Sequence, residues 1–483
     1  MNNFSQIGNE MKSLWKYLFV LLILSSQVHA QSDVIGFWNG NLKMLTIDLQ
    51  FQLKIENPGK SLNAYMNIPA QGVKAYQLPV FTYKKSKVHF ELPGQAGMAK
   101  FDGVLKGDSI KGTVLQAGIK GTFILKRSVE QTAAVQQENK PSEPLPYSED
   151  EVVFKSGTIL FSGTLTRPKG DVNAKYPAVI LLTGSGPHDR DENIYGFRIF
   201  EKIADYLTRK GIAVLRYDDR GVGGSTGNKM LSTTEDFVGD ALSAVEFMKK
   251  QNNIDVNKIG LLGHSEGGIV ASMAAARSNS IAFIVLMSSS GVDGGDLILE
   301  QQKLLLKSAN VPDSMITQNL KLQNKINDTL RNDGDINNLK GDIRKFAEED
   351  YNNLSANIKA SIQDKEAYLN SNVQSQIAVF NNPWFRFFVK NNPYDALVKV
   401  TIPVFMTFGE LDLQVPAEQN KPKMEEALTH AGNKHFKSVI FLKANHLYQE
   451  AITGNPSEYS ELPKEFIPGF LETISDWILQ TTK

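Results

Sequence analysis

The 483-residue sequence contains no cysteine. Disulfides, thiolate zinc sites, iron–sulfur clusters and cysteine nucleophiles are therefore excluded. Net charge is also missing, because 52 Lys and Arg offset 52 Asp and Glu. That balance argues against a nucleic-acid binder that relies on a positive field over the whole chain. Long apolar runs are scarce. The most apolar stretch, 17–24, falls short of a bilayer span, which needs about 20 apolar residues. What remains is an ordinary globular composition, 41% hydrophobic and 22% charged. At roughly 100–200 residues per domain, the length predicts two to four domains.

Lys12 and Lys16 precede the apolar run, and Ser25-Ser26-Gln27-Val28-His29-Ala30 follows it. A basic stretch, a short apolar core and a small final residue predict a secretory signal peptide over 1–30, cleaved after Ala30. A buried N-terminal helix is the bland alternative, and Met11 is an alternative start. Cleavage would leave 50 basic and 51 acidic residues. The expectation is a protein exported to the periplasm or beyond, with no membrane span.

Residues 31–127 read as a small all-β domain, a barrel or sandwich. Short alternating strands are predicted at 37–44, 46–55, 61–68, 76–83, 87–92, 100–105, 109–115 and 120–126, separated by turns such as Asn57-Pro58-Gly59. Gly36-Phe37-Trp38-Asn39-Gly40 and Phe101-Asp102-Gly103 resemble the lipocalin-like domain found ahead of some secreted bacterial hydrolases. Pro141, Pro144 and Pro146 fall in a polar stretch at 128–149 that reads as a linker. From 150 strands and helices alternate, beginning with a hairpin at 152–166. Continuous apolar runs such as Ala178-Val179-Ile180-Leu181-Leu182 belong to parallel strands buried on both faces. This is a doubly wound α/β pattern. It pauses over 296–395, a predicted helical cap insertion with helices near 297–307, 342–351 and 358–368, and resumes over 396–483.

Gly263-His264-Ser265-Glu266-Gly267 follows the strand predicted at 259–262 and opens a helix of small residues. A turn that tight tolerates no bulky side chain two positions either side of the serine, and it aims Ser265 from the sheet edge as a nucleophile. The base should be a histidine. His264 lies inside the turn, His89 in the β domain, His188 after the first parallel strand, His430 at a helix end and His435 at the wrong end of the last strand. His446 alone follows that strand, at the carboxyl edge where open α/β sheets bind ligands. The orienting carboxylate should follow the preceding strand, in Gly409-Glu410-Leu411-Asp412. Asp412 has the better spacing and Glu410 is its rival. The order Ser265, Asp412, His446 is that of α/β-hydrolases.

A tetrahedral intermediate needs backbone N–H donors. Glu266 supplies one. Ser185, in Thr183-Gly184-Ser185-Gly186-Pro187, is the candidate for the other. Asp189, Arg190, Asp191 and Glu192 read as an ion-pair and turn network shaping that loop, with a metal site as the rival reading. Tyr217-Asp218-Asp219-Arg220-Gly221-Val222-Gly223-Gly224-Ser225 fails the phosphate-loop patterns, since position 226 is Thr. It reads as a structural turn.

Four stretches together resemble bacterial α/β-hydrolase serine esterases, a group that includes cold-active carboxylesterases and cinnamoyl-type esterases. They are Gly184-Ser185-Gly186-Pro187-His188-Asp189-Arg190-Asp191-Glu192, Asp219-Arg220-Gly221-x-Gly223-x-Ser225, Gly263-His264-Ser265-Glu266-Gly267 and Gly409-x-x-Asp412. The similarity covers about 150–483. Thr183 stands where many relatives carry His, which bears on the shape of the oxyanion loop. The resemblance implies hydrolysis of short- or medium-chain or aryl carboxylic esters, small-molecule substrates, without cofactor or metal. Trp384-Phe385-Arg386-Phe387-Phe388 resembles the aromatic end of the family's cap. Trp384 and Phe385 would either line the acyl pocket or pack the cap onto the core. A prolyl-oligopeptidase-type peptidase uses the same triad, but 33–127 is too short for its usual propeller. A lipid- or glycan-binding protein with an inactive hydrolase fold is a third reading. Nothing in the sequence sets an oligomeric state.

Overall fold

The computed structural model describes residues 33–44, 47–59, 62–68, 73–94, 97–116, 119–128, 145–170, 173–354, 356, 359, 362 and 364–483. The predicted signal peptide and most of the predicted linker lie outside the described residues. The chain divides into two compact units, the described residues of Met1–Lys140 with Ala347–Gln376, and Pro141–Phe346 with Ile377–Lys483.

The first unit contains nine strands: β1 (Gly36–Met44), β2 (Ile47–Glu56), β3 (Asn63–Ile68), β4 (Val73–Gln77), β5 (Val80–Lys84), β6 (Lys87–Gly94), β7 (Gly97–Lys106), β8 (Ser109–Gln116) and β9 (Ile119–Ser128). They form one antiparallel sheet in the order β4-β3-β2-β1-β9-β8-β7-β6-β5. β4 and β5 are adjacent in sequence yet sit at opposite edges. At about 4.8 Å per strand a flat sheet would hold those edges roughly 38 Å apart, whereas the short link between them spans about 10 Å. The sheet must therefore curl. Its concave face agrees: the rings of Phe51 on β2 and Phe101 on β7 are 5.9 Å apart, and Trp38, Phe90 and Phe123 are fully buried with them. Sequence reading expects one strand over 76–83. The structure has two, because Pro79 has no N–H to give to a ladder.

The second unit holds an eight-stranded sheet, β10 (Tyr147–Ser156), β11 (Ile159–Pro168), β12 (Tyr176–Leu182), β15 (Ala213–Tyr217), β16 (Ile254–His264), β17 (Phe283–Met287), β18 (Val404–Gly409) and β19 (Phe436–Phe441). A two-residue ladder of β13 (Asn193–Ile194) and β14 (Phe197–Arg198) lies apart from it. The order is β10-β11-β15-β12-β16-β17-β18-β19; β11 runs antiparallel to both of its neighbours, β10 and β15, and the remaining pairs are parallel. β10 starts at Tyr147, inside the segment expected to be linker, and pairs residue for residue with β11.

Side chains alternate between two cores. Ala178, Ile180 and Leu182 of β12 join a cluster with Val238 and Ala241 of α2 (Thr234–Met248), Ile269 and Val270 of α3 (Glu266–Ala275) and Leu428 of α10 (Ala417–His430). Val179 and Leu181 face the other way, toward Ile203 and Leu207 of α1 (Ile199–Arg209) and Phe470 and Ile474 of α11 (Phe470–Thr481). The sheet is thus sandwiched between helices and anchored on both faces.

Between β17 and β18 run α4 (Gly294–Ser308), α5 (Asp313–Arg331), α6 (Lys340–Asn353), α7 (Lys365–Phe380), α8 (Pro383–Lys390) and α9 (Tyr394–Leu397). Of the helix expected at 358–368, residues 365–368 begin α7 (Lys365–Phe380), and most of 358–363 lies outside the described residues. α5 was not foreseen in the sequence. Its apolar stripe is interrupted by Gln323 and Asn327, both buried. Asn327 donates to the Gly295 carbonyl and accepts from Gln323, so the buried amides are satisfied by partners that only the fold supplies.

Candidate active site

β16 delivers the chain to Ser265, and α3 starts at the next residue. Ser265 has φ 54° and ψ −118°, a conformation that strains any residue with a side chain. The turn survives because its flanks are bare. A Cβ on Gly263 would lie 2.1 Å from the Gly267 carbonyl, and one on Gly267 2.1 Å from the Leu182 carbonyl oxygen. The Ser265 N–H is fixed by the Met287 carbonyl at 2.8 Å. Glu266 is the first residue of α3, where the helix offers its N–H no partner.

His446 and Asp412 are both buried. His446 Nδ1 and Asp412 Oδ2 are 2.8 Å apart. Asp412 Oδ1 accepts the N–H groups of Gln414 and Val415, each at 2.9 Å. One carboxylate oxygen is thus held by main chain and the other faces the imidazole, which puts a proton on Nδ1 and leaves Nε2 as the basic nitrogen. Glu410 points elsewhere and accepts the Lys443 N–H at 2.8 Å.

The loop after β12 passes directly beside the serine, since a Cβ on Gly184 would stand 3.3 Å from Ser265 Cβ. Its Gly184 N–H donates to Glu192 Oε1 at 2.7 Å and is unavailable to a substrate. Ser185 is exposed, and its carbonyl faces His188 Nε2 at 2.9 Å. Asp219 braces the loop from behind. It accepts from Thr183 Oγ1 at 2.8 Å, from the His188 N–H at 2.7 Å and from Lys229 Nζ at 2.6 Å. The segment expected as a structural turn therefore holds the loop after β12. Arg190 pairs with Asp218 and Glu151, and Asp191 with Arg198 and Arg216, an ion-pair network. Among the described residues no cluster of His, Asp and Glu is placed to hold a metal ion.

Glu192 belongs to the ion-pair network expected of this loop, but its partner His264 is not legible in the sequence. It is fully buried, and Oε1 faces His264 Nδ1 at 3.0 Å. His264 Nε2 faces the His446 carbonyl oxygen at 3.0 Å. Burial pushes the Glu192 carboxyl up, but the charge and hydrogen bond of His264 and the Gly184 N–H outweigh it and hold it below its usual range. Burial likewise pushes His264 down, and Glu192 more than reverses this, leaving the imidazole above its usual range. A run of four charged residues gives no sign of which one turns inward.

Trp384 on α8 donates from Nε1 to Glu266 Oε1 at 2.8 Å, and Thr234 donates to the same oxygen at 2.7 Å. The indole also stacks on Phe388 with centroids 5.1 Å apart. Phe385 is half-buried beside Phe380, with centroids 5.5 Å apart.

Sheet order, crossover pattern and the strand–serine–helix turn are those of the α/β-hydrolase fold. Residues 196–342 match the Hydrolase_4 family model, described as serine aminopeptidase, S33. The chain is 28% identical over 314 residues to esterase EstD of Thermotoga maritima, covering 64% of this chain and 64% of the relative. It thus spans a little under two thirds of that relative's length. Similar solved structures include a Pyrococcus furiosus esterase (15% identity, TM-score 0.42, 70% of this chain and 93% of that one). Another is Est1E of Butyrivibrio proteoclasticus with ferulic acid bound (18% identity, TM-score 0.37, 68% and 96%). Among the described residues no helix is long and apolar enough to cross a membrane.

Proposed function

We propose that this chain is a serine hydrolase of carboxylic esters. The observation that supports the reading best is the strained Ser265 turn combined with a buried His446 whose Nδ1 faces Asp412. His446 Nε2 takes the Ser265 hydroxyl proton as Oγ attacks the ester carbonyl, and Asp412 stabilises the resulting imidazolium. The backbone N–H groups of Glu266 and Ser185 receive the oxyanion. Collapse expels the alcohol with the His446 proton. Water then repeats the sequence on the acyl-enzyme and releases the acid. Trp384 and Phe385 line the acyl pocket, which suits short- to medium-chain or aryl acyl groups. The likeness to EstD favours esters.

The same reading includes export after cleavage near Ala30 and an N-terminal lipocalin-like β domain. No cofactor is needed for these steps. The description of the matched family model favours one other substrate class, peptides with a free N-terminus. Turnover of p-nitrophenyl esters of rising acyl length, beside aminoacyl-anilides, tests the choice. Ester kcat/KM should exceed anilide kcat/KM by at least about a hundredfold, roughly 2.7 kcal/mol of barrier. The reverse order would make the protein a peptidase, and no turnover of either would remove the hydrolase reading.

A further inference from the structure

His264 is flanked by acceptors. Its Nδ1 faces Glu192 Oε1 and its Nε2 faces the carbonyl oxygen of His446, each at 3.0 Å. A neutral imidazole carries one N–H and can satisfy only one of them. The remaining arrangement puts the proton on Glu192 Oε1. That oxygen also accepts the Gly184 N–H at 2.7 Å, a role that suits a carboxylate far better than a hydroxyl. Both rings of contact therefore call for an imidazolium beside a carboxylate. His264 and Glu192 are 2% and 0% exposed, so neither charge has water to stabilise it and each needs the other.

We infer that His264 is a charged clip that positions the site. Through Glu192 it holds the oxyanion loop at Gly184, and through its other nitrogen it holds the main chain of His446. The inference rests on the Ser265–Asp412–His446 reading of the site. It adds that the two loops which must close on the nucleophile from opposite sides share one buried ion pair, carried by the residue immediately before the serine. A misplacement of about 1 Å between such parts lowers turnover on the order of a hundredfold. The clip therefore acts on kcat and not on ground-state binding of a small ester.

The clip is also sensitive to alkali. The groups facing it are Glu192, the ring of His446 with its centroid 4.8 Å away, and, acting through charge, Asp412, while His188 acts on Glu192. The folded-state value of His264 is raised above the ordinary 6.5, the charge of Glu192 outweighing burial. Its contribution is complete below that ordinary value and is lost as pH rises through the raised one. Turnover should then fall on the alkaline side as the uncharged ring releases one of its two partners.

Selective 15N-histidine labelling of the full chain reads the state of the ring. As pH is raised past the ordinary 6.5, one histidine should keep both nitrogens protonated after an unperturbed imidazole has lost its proton, and that signal should vanish in His264→Gln. Glu192→Gln preserves shape and removes the charge. It should abolish the imidazolium signal, move the alkaline limb of kcat down by at least about one pH unit, lower kcat about tenfold or more and change KM less than about threefold. Glu192→Asp keeps the charge and should retain the signal and the limb. A neutral His264 in the wild-type chain would overturn the inference, even if no Glu192 variant folds. So would an alkaline limb that Glu192→Gln leaves in place. Labelling of wild-type Ser265 by a fluorophosphonate separates the two readings. Labelled Ser265 with neutral His264 removes the clip alone, whereas an imidazolium beside an unreactive Ser265 removes the hydrolase.

Discussion

Asp412 Oδ2 lies 2.8 Å from His446 Nδ1, and Glu410, two residues earlier, turns away to the Lys443 N–H. Spacing in the sequence favours Asp412 with Glu410 as its rival, and in space only Asp412 reaches the imidazole. Asp412→Asn keeps the size but removes the charge and offers a donor where His446 needs an acceptor. In a well-studied protease triad that change lowers kcat about 10⁴-fold. Asp412→Asn should lose about 10³–10⁴ in kcat on a p-nitrophenyl ester, about 4–5.5 kcal/mol of barrier. Glu410→Gln should lose roughly tenfold or less, because its charge acts through screened solvent. The reverse ranking would reassign the acid.

Ser265 has φ 54° and ψ −118°, which strains serine and alanine alike. Ser265→Ala should abolish turnover with a Tm near that of the wild type. Ser265→Gly should abolish turnover and melt higher. Relief of strain is worth about 1–3 kcal/mol, against about 0.4–1 kcal/mol for the extra freedom of glycine in the unfolded chain. The difference should raise Tm by about 2–4 °C. Calorimetry on the three chains decides it, and a glycine variant that melts below the alanine one would mean the turn is not strained.

Asp218 ties the loop after β12 to the turn after β15. It accepts from the Arg190 guanidinium and from the N–H groups of Arg190 and Gly224. Burial alone would raise its carboxyl, but these bonds win and hold it below the ordinary 3.8. The stabilisation is therefore complete above that ordinary value and is lost as pH falls through the lower folded one. Asp218→Asn should lower stability by about 1.5–3 kcal/mol at neutral pH and flatten its fall toward about pH 3. Urea midpoints across that range provide the measurement. A variant with the wild-type midpoint at neutral pH would show that the pair contributes nothing.

The α/β half of the architecture is legible because its signals are local. Parallel strands such as Ala178–Leu182 are apolar on both faces, and the Gly263–Gly267 turn needs bare flanks whatever surrounds it. The placement of His446 follows from chain order, since it alone comes after the last strand at the correct end. The break at Pro79 was equally available in sequence, as a missing N–H, and a reading of alternation alone passes over it. Elsewhere the information is not local. α5 hides behind Gln323 and Asn327, whose burial makes sense only once Gly295 is brought to them.

By itself, then, the sequence determined the parts that depend on near neighbours: the strand rhythm, the strained serine turn, the candidate base and the short choice of acids. The tertiary structure decided which carboxylate meets His446, that Asp219 and Glu192 hold the loop after β12, and that Trp384 reaches Glu266. Those outcomes share a physical cause. A buried charge or polar group is tolerated only where a partner meets it. For His264 the partners come from positions 192 and 446, so no window of sequence contains the reason it is there.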